Sequence, residues 1–154
     1  MNPYAEALFE LLKVIAPSLV TVLLGAFIVQ RFFVSRANEA ALIDFLIEEL
    51  DKLRDDALEY WNLAGDTKEN KQRQILLTQK IKGNLRALAS DFGYFCDRYC
   101  LKDKSTITKL LTNLHDSCTG GEFESSKKKA DPHRYIIIVN TINDVKSAVF
   151  RRKL

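Results

Sequence analysis

Three cysteines and one histidine fall at spacings that suit metal binding or nucleophilic chemistry. Cys96 and Cys100 are one helical turn apart, and His115 and Cys118 form an H-x-x-C pair. Soft ligands of this kind suit zinc, and a thiol paired with an imidazole, His115 or His133, can act as a nucleophile. However, Cys96 and Cys100 flank an aromatic segment, where thiols commonly fill cores, and no third residue orients the Cys118 pair. We therefore expect neither a metal site nor a catalytic site.

Residues 120–123 spell GGEF, which resembles the signature loop of cyclic-dinucleotide synthases. Those enzymes carry the loop on a hairpin of a larger α/β domain with metal-binding carboxylates upstream, and nothing in this sequence predicts that sheet. We interpret the glycines as the end of a helix and Phe123 as a core residue. The sequence also lacks a phosphate-binding glycine loop, an H-E-x-x-H helix and a nucleophile elbow. We predict a protein without enzymatic activity and without a cofactor.

Two basic clusters lie near the C-terminus, one around residues 127–134 and the other at residues 151–153. They suit a solvated loop and tail, or contact with anionic lipid headgroups or an acidic protein. Nucleic acid is disfavoured because aromatic residues do not alternate with these bases. The residues predicted to contact a protein trigger, a partner or lipid are Phe123, Lys127, Lys128, Lys129 and Arg134.

Charge is unevenly distributed along the 154 residues, although the net charge is only +3. Residues 37–66 carry nine acids and two bases, residues 67–100 carry seven bases and three acids, and residues 101–154 carry eleven bases and six acids. An acidic segment followed by basic ones favours elements that attract each other. Three sparse cysteines do not suggest a disulfide framework, which places the domain in a reducing compartment.

The stretch from Val14 to Gln30 contains no charged residue. As a helix it would be about 25 Å long, slightly short of a bilayer core, and the apolar residues up to position 34 extend it. The alternatives to a membrane span are a buried core helix and a cleaved signal peptide. A helix this apolar all round is unusual inside a small domain, and Glu6 and Glu10 stand where a signal peptide needs basic residues. We predict a transmembrane helix at residues 14–34, preceded by an amphipathic segment at residues 1–13.

Basic residues are more frequent after the predicted span than before it. Lys13 precedes the uncharged stretch Val14–Gln30, whereas Arg31 and Arg36 follow that stretch closely, so the positive-inside rule places the N-terminus outside and residues 35–154 in the cytoplasm. Small or polar residues within the span let helices approach closely or line a pore. The candidates for such span contact are Ser18, Thr21, Gly25 and Gln30.

The remaining chain reads as an antiparallel helical hairpin followed by two shorter helices. Residues 38–64 and 67–101 each alternate apolar spacings of three and four, as coiled-coil seams do. The seam residues are Ile43, Leu46, Leu50, Leu53, Ala57, Tyr60 and Ala64, then Ile81, Leu85, Leu88, Phe92, Phe95 and Tyr99. Asp66 and Glu69 predict a capping box at the start of the second helix.

A third helix is predicted at residues 105–118, and Asp131 followed by Pro132 predicts the start of a fourth. The fourth helix would turn Tyr135, Ile138, Ile142, Val145 and Val149 inward, although the β-branched run "YIIIV" also suits a strand. The predicted fold is all-α: a transmembrane helix followed by a cytoplasmic bundle of about four helices.

This layout resembles the small single-pass membrane effectors of bacterial abortive-infection and anti-phage systems, which pair a short hydrophobic segment with a cytoplasmic sensing domain. The resemblance implies a protein of the bacterial inner membrane that oligomerises and disrupts or depolarises that membrane. Its cytoplasmic domain would be triggered by a phage protein or another cytoplasmic protein. The alternative is a passive membrane-anchored adaptor that binds a cytoplasmic partner, and an enzyme is a more distant third.

Overall fold

The computed structural model describes residues 3–64, 67–125 and 129–151, with side chains described from residue 22 onward, Leu101 excepted. Four α-helices cover most of these residues: α1 (Pro3–Asn62), α2 (Lys68–Tyr99), α3 (Lys104–Thr119) and α4 (Pro132–Phe150). A 3₁₀ turn at Leu101–Asp103 joins α2 to α3. The described residues contain no strand, so the predicted all-α class is confirmed, and the "YIIIV" run is helical.

Contacts divide the chain into two units, Met1–Glu39 and Ala40–Leu154. In the first unit, the described side chains from Val22 onward are almost all exposed. Among the described residues, no helix is both long enough and apolar enough to cross a membrane. The predicted span at residues 14–34 begins before residue 22, where the described side chains start. Ser18 and Thr21 are therefore outside the described side chains.

In the second unit, the predicted seams form the core. Except for Ala64, every seam residue predicted between residues 38 and 64 is buried. Ala64 lies beyond the end of α1 and is exposed, because the helix stops two residues before the pattern does. Leu85 and Tyr99 of α2 are partly buried at the edge of the core, and the other α2 seam residues are fully buried.

The helix starts follow the capping rules with one correction. Asp131 caps α4 as predicted, since its side chain accepts a hydrogen bond from the Arg134 backbone N–H. The predicted capping box at Asp66 is wrong, because Thr67 is the residue that caps α2. The Thr67 hydroxyl accepts a hydrogen bond from the Asn70 backbone N–H at 3.1 Å. A β-hydroxyl one residue later can satisfy the same orphan N–H groups.

One residue of α4 departs from its predicted orientation. Ile138, Ile142, Val145 and Val149 are buried, but Tyr135 is 46% exposed. It lies in the first turn of α4, at the end of the buried row. Helical periodicity defines a face, and packing decides how far along that face the burial extends.

Candidate functional site

Residues 22–34 of α1, called here the apolar segment, expose large apolar side chains in every direction. Nine such side chains are 52–69% exposed: Val22, Leu23, Leu24, Phe27, Ile28, Val29, Phe32, Phe33 and Val34. A globular helix normally keeps one polar face and one buried apolar stripe. The apolar segment has no such division, since its only charged residue is Arg31. Its surface matches an apolar environment rather than water.

Two of the predicted span-contact residues lie in the apolar segment, on different faces. Gly25 faces open space, because a Cβ built on it would meet nothing within 4 Å. Gln30 is exposed among the apolar side chains. Five residues separate them, which corresponds to about 140° around a helix. Gly25 therefore shares its face with Ile28 and Phe32, while Gln30 lies on another face.

The GGEF loop is held by aromatic side chains at the end of α1. Phe123 packs against Tyr60 with ring centroids 4.9 Å apart and lies 6.4 Å from the Trp61 ring. The Tyr60 hydroxyl accepts a hydrogen bond from the Glu124 backbone N–H at 2.9 Å. Phe123 is thus half-buried against the core, in agreement with its interpretation as a core residue. Its part in trigger contact stays a prediction.

The basic residues predicted for contact have different environments. The Arg134 guanidinium lies over the Trp61 ring, 4.8 Å from its centroid, and its side chain is largely buried. Lys129 is exposed. Lys127 and Lys128 lie outside the described residues. The structure therefore joins Arg134 and Phe123 through Trp61.

The residues weighed for metal or nucleophile chemistry are mostly part of the core. Cys96, Cys100 and Cys118 are buried thiols, and burial raises the pKa of the Cys118 thiol to about 11. That thiol is protonated at neutral pH, whereas a nucleophile needs the thiolate. Over the described part of the chain, no three His, Cys, Asp or Glu side chains are grouped as metal ligands.

A groove between α2 and α3 was not predicted from the sequence. It contains two adjoining cavities of about 320 and 280 Å³, both lined by Leu85, Ala89 and His115. Ala89 and Gly93 face the groove one helical turn apart, and side chains this small leave space between the helices. The A-x-x-x-G spacing was the available signal, but small residues within an amphipathic helix have many other uses.

Comparison with protein-family models, with curated protein sequences and with solved structures finds no match for this chain.

Proposed function

We propose that this chain is a membrane-anchored effector of bacterial anti-phage defence, in which residues 14–34 insert into the inner membrane as a helix. The observation that carries the proposal is the apolar segment, whose nine large apolar side chains are each more than half exposed. Burial of one such side chain is worth about 1.5–3 kcal/mol. Transfer of the segment from water into lipid is therefore strongly favourable.

The two faces of the apolar segment support association between inserted copies. Gly25 offers a flat surface on which a second helix can approach closely. Gln30 carries an amide whose donors and acceptor need partners where water is scarce. A neighbouring copy can supply both the close packing and the amide partner. Several copies gathered in this way would disrupt or depolarise the membrane.

The second unit, from Ala40 onward, would control this gathering from the cytoplasmic side. Outside its helical core, the loop between α3 and α4 is available for contact with a phage protein or another cytoplasmic trigger. The loop residue Lys129 is exposed, and together with Lys127 and Lys128 it remains a candidate for contact with an acidic trigger or with anionic lipid headgroups. The proposal assigns sensing to this unit and membrane damage to the span.

A second candidate function is that of a passive adaptor, which the α2–α3 groove favours. Its apolar lining, with Leu85, Phe92 and Leu111 among its residues, is the kind of surface that takes the apolar face of a partner helix. If that helix belongs to another cytoplasmic protein, the chain would hold this protein at the membrane, and the span would be only a tether.

Membrane permeability in bacteria expressing the full-length chain separates the two functions. A voltage-sensitive dye and propidium would be read at rest and during phage infection. For an effector, we expect depolarisation during infection that Gly25→Leu and Gln30→Leu abolish, with membrane insertion preserved. The control is Ala26→Leu, which places the same leucine side chain on another face beside Gly25 and should retain the activity. An intact potential in every condition, with the protein confirmed in the membrane, would exclude the effector.

A variant whose span is replaced by a plain poly-Leu helix tests the adaptor. A tether needs only insertion, so an adaptor would retain its function in this variant. An effector would lose its activity, because poly-Leu lacks both the small residue and the amide.

A further inference from the structure

The α2–α3 groove combines an apolar floor with a basic rim. The floor includes Leu88, Phe92 and Ile107, and the opening lies beside Ala89 and Gly93. A Cβ built on Gly93 would meet nothing within 4 Å, so there is free space directly above the α2 backbone. A groove of this form accepts one apolar face of a helix rather than an extended polar chain.

Three cations border the groove: Lys82 and Arg86 on α2, and Lys104 at the start of α3. Lys82 pairs with Glu124 at 2.6 Å and Lys104 pairs with Asp97 at 2.5 Å. Arg86 makes no ion pair within the described residues. Two of the three cations are thus already paired, and Arg86 is available to a carboxylate that an occupant carries next to its apolar side chains.

The outer face of α1 has this composition. Residues 40–62 contain seven acids and two bases, and the buried seam occupies the inner face of that stretch. Three of these acids pair with cations of α2 and α4: Asp51, Asp56 and Glu59. Outside that seam, Phe45 is 44% exposed, and Glu48, three residues further along the helix, is exposed as well. Three residues correspond to about 4.5 Å along the helix axis and roughly 60° around it, so these two side chains are neighbours. An aromatic side chain thus lies beside the carboxylate of Glu48.

We propose that the α2–α3 groove binds the outer face of α1, residues 41–55, from a second copy of this chain. The inference rests on the proposed function and supplies its means of clustering. The contact joins two different surfaces, so each copy keeps a free groove or a free α1 face for the next one. Contacts of this type close into rings or extend into rows. Anchoring in one membrane raises the effective concentration of the copies.

Photo-crosslinking identifies the occupant directly. The full-length chain would carry a photoreactive phenylalanine analogue at Thr112, which lines the groove, and would be irradiated in bacterial membranes. We expect a product of twice the chain mass whose cross-linked peptide lies within residues 41–55. Cross-links to a different protein, to lipid or to another region of the chain would overturn the proposal, and so would the absence of any product.

Charge reversal tests the complementarity of the two surfaces. We expect Arg86→Glu and Glu48→Lys each to lower the cross-linked yield at least about fivefold, because each places like charges together, and the double variant to recover it within about twofold. Arg86→Glu breaks no ion pair among the described residues. After Glu48→Lys, Lys52 still has Glu49 as a partner at 2.8 Å. Lys68→Glu, an exposed reversal in the first turn of α2, is the control and should have no effect.

Filling the groove gives an independent test with a matched control. Gly83 and Gly93 both lie in α2, and a Cβ at either position meets open space, but only Gly93 lines the groove. Gly93→Leu should abolish the cross-link, whereas Gly83→Leu should preserve it. Equal yields from the two variants would contradict the proposal. Cross-linking without depolarisation would exclude the effector function alone, and depolarisation without cross-linking would exclude this contact alone.

Discussion

The Trp61 indole donates a hydrogen bond from Nε1 to the backbone carbonyl of Cys118 at 2.9 Å, which joins the end of α1 to the end of α3. The Trp61 carbonyl in turn accepts a hydrogen bond from the Asp131 backbone N–H at 3.0 Å, just before α4. With Arg134 over its ring, Trp61 connects three helices at one point. The loop between α3 and α4 begins and ends beside this residue.

Trp61→Phe should destabilise the second unit by about 1–3 kcal/mol, because phenylalanine keeps most of the apolar bulk but leaves the buried Cys118 carbonyl without its donor. Denaturant unfolding of the full-length chain in detergent, monitored by circular dichroism, measures this change in the free energy of unfolding. Tyr135→Phe, at an exposed position, is the control and should change stability little. Equal stability of Trp61→Phe and the parent chain would show that the hydrogen bond contributes nothing.

Alkaline pH should weaken the fold through Cys118. Burial raises the pKa of this thiol from 9.0 to about 11. Well below pH 9 the folded chain and the unfolded chain both keep the thiol proton, so Cys118 does not reduce the free energy of unfolding. Between pH 9 and 11 the unfolded chain releases the proton while the folded chain retains it. The free energy of unfolding therefore falls as pH rises, by up to roughly 2–3 kcal/mol.

Unfolding measured at about pH 7.5, 9 and 10.5 checks this effect when the parent chain is compared with Cys118→Ala. The variant has no thiol at this position, so its stability should fall less steeply over the alkaline range. The comparison cancels the contribution of the lysines and tyrosines, which are common to both chains. Parallel pH profiles would contradict the assignment to Cys118.

Gly121→Ala and Gly83→Ala should change stability in opposite directions. Gly121 has φ +69°, a conformation that an alanine adopts only with strain, so its replacement should cost about 1 kcal/mol or more. Gly83 lies inside α2 with open space at its Cβ position, and alanine there should add about 0.5–1 kcal/mol. Thermal unfolding of both variants tests the pair. Destabilisation by Gly83→Ala would mean that this position is occupied by a neighbour.

Acid should weaken the contact between α1 and α2 at Glu59. Arg73 donates two hydrogen bonds to this carboxylate, at 2.5 and 3.0 Å, and they lower the pKa of Glu59 below its ordinary value. This stabilisation is present above the pKa of an unfolded glutamate, about 4.3, and is lost as pH falls through the lower folded pKa. Both side chains are well exposed, so the effect is small and screened by salt.

Glu59→Gln should reduce the acid dependence of unfolding between about pH 5 and 3, with little change at pH 7 and high ionic strength. Asp55→Asn is the matched control, since Asp55 is an exposed acid of the same helix whose ion pair is with its sequence neighbour Arg54 and not with α2. A stronger response to Asp55→Asn than to Glu59→Gln would contradict the role given to the α1–α2 pair.

The sequence by itself determined the helices and the faces that they bury. Alternating apolar spacings predicted the α1 and α2 seams, and the residues Asp131 and Pro132 predicted the start of α4. These features depend on residues within one or two turns of each other, so local pattern is sufficient. The local sequence also predicted Phe123 as a core residue, because two glycines end the helix before it and a large aromatic side chain in the following loop favours burial.

Only the tertiary structure decided which elements meet. No spacing in the sequence indicates that Trp61 reaches the carbonyl of Cys118, because the two are 57 residues apart and their contact depends on how three helices pack. The α2–α3 groove has the same origin, since Ala89 and Gly93 become its open side only when α3 lies opposite them. Exposure of Tyr135 likewise depends on where neighbouring elements end. Periodicity specifies the apolar face of each helix, while the neighbour that covers that face is set by packing over the whole chain.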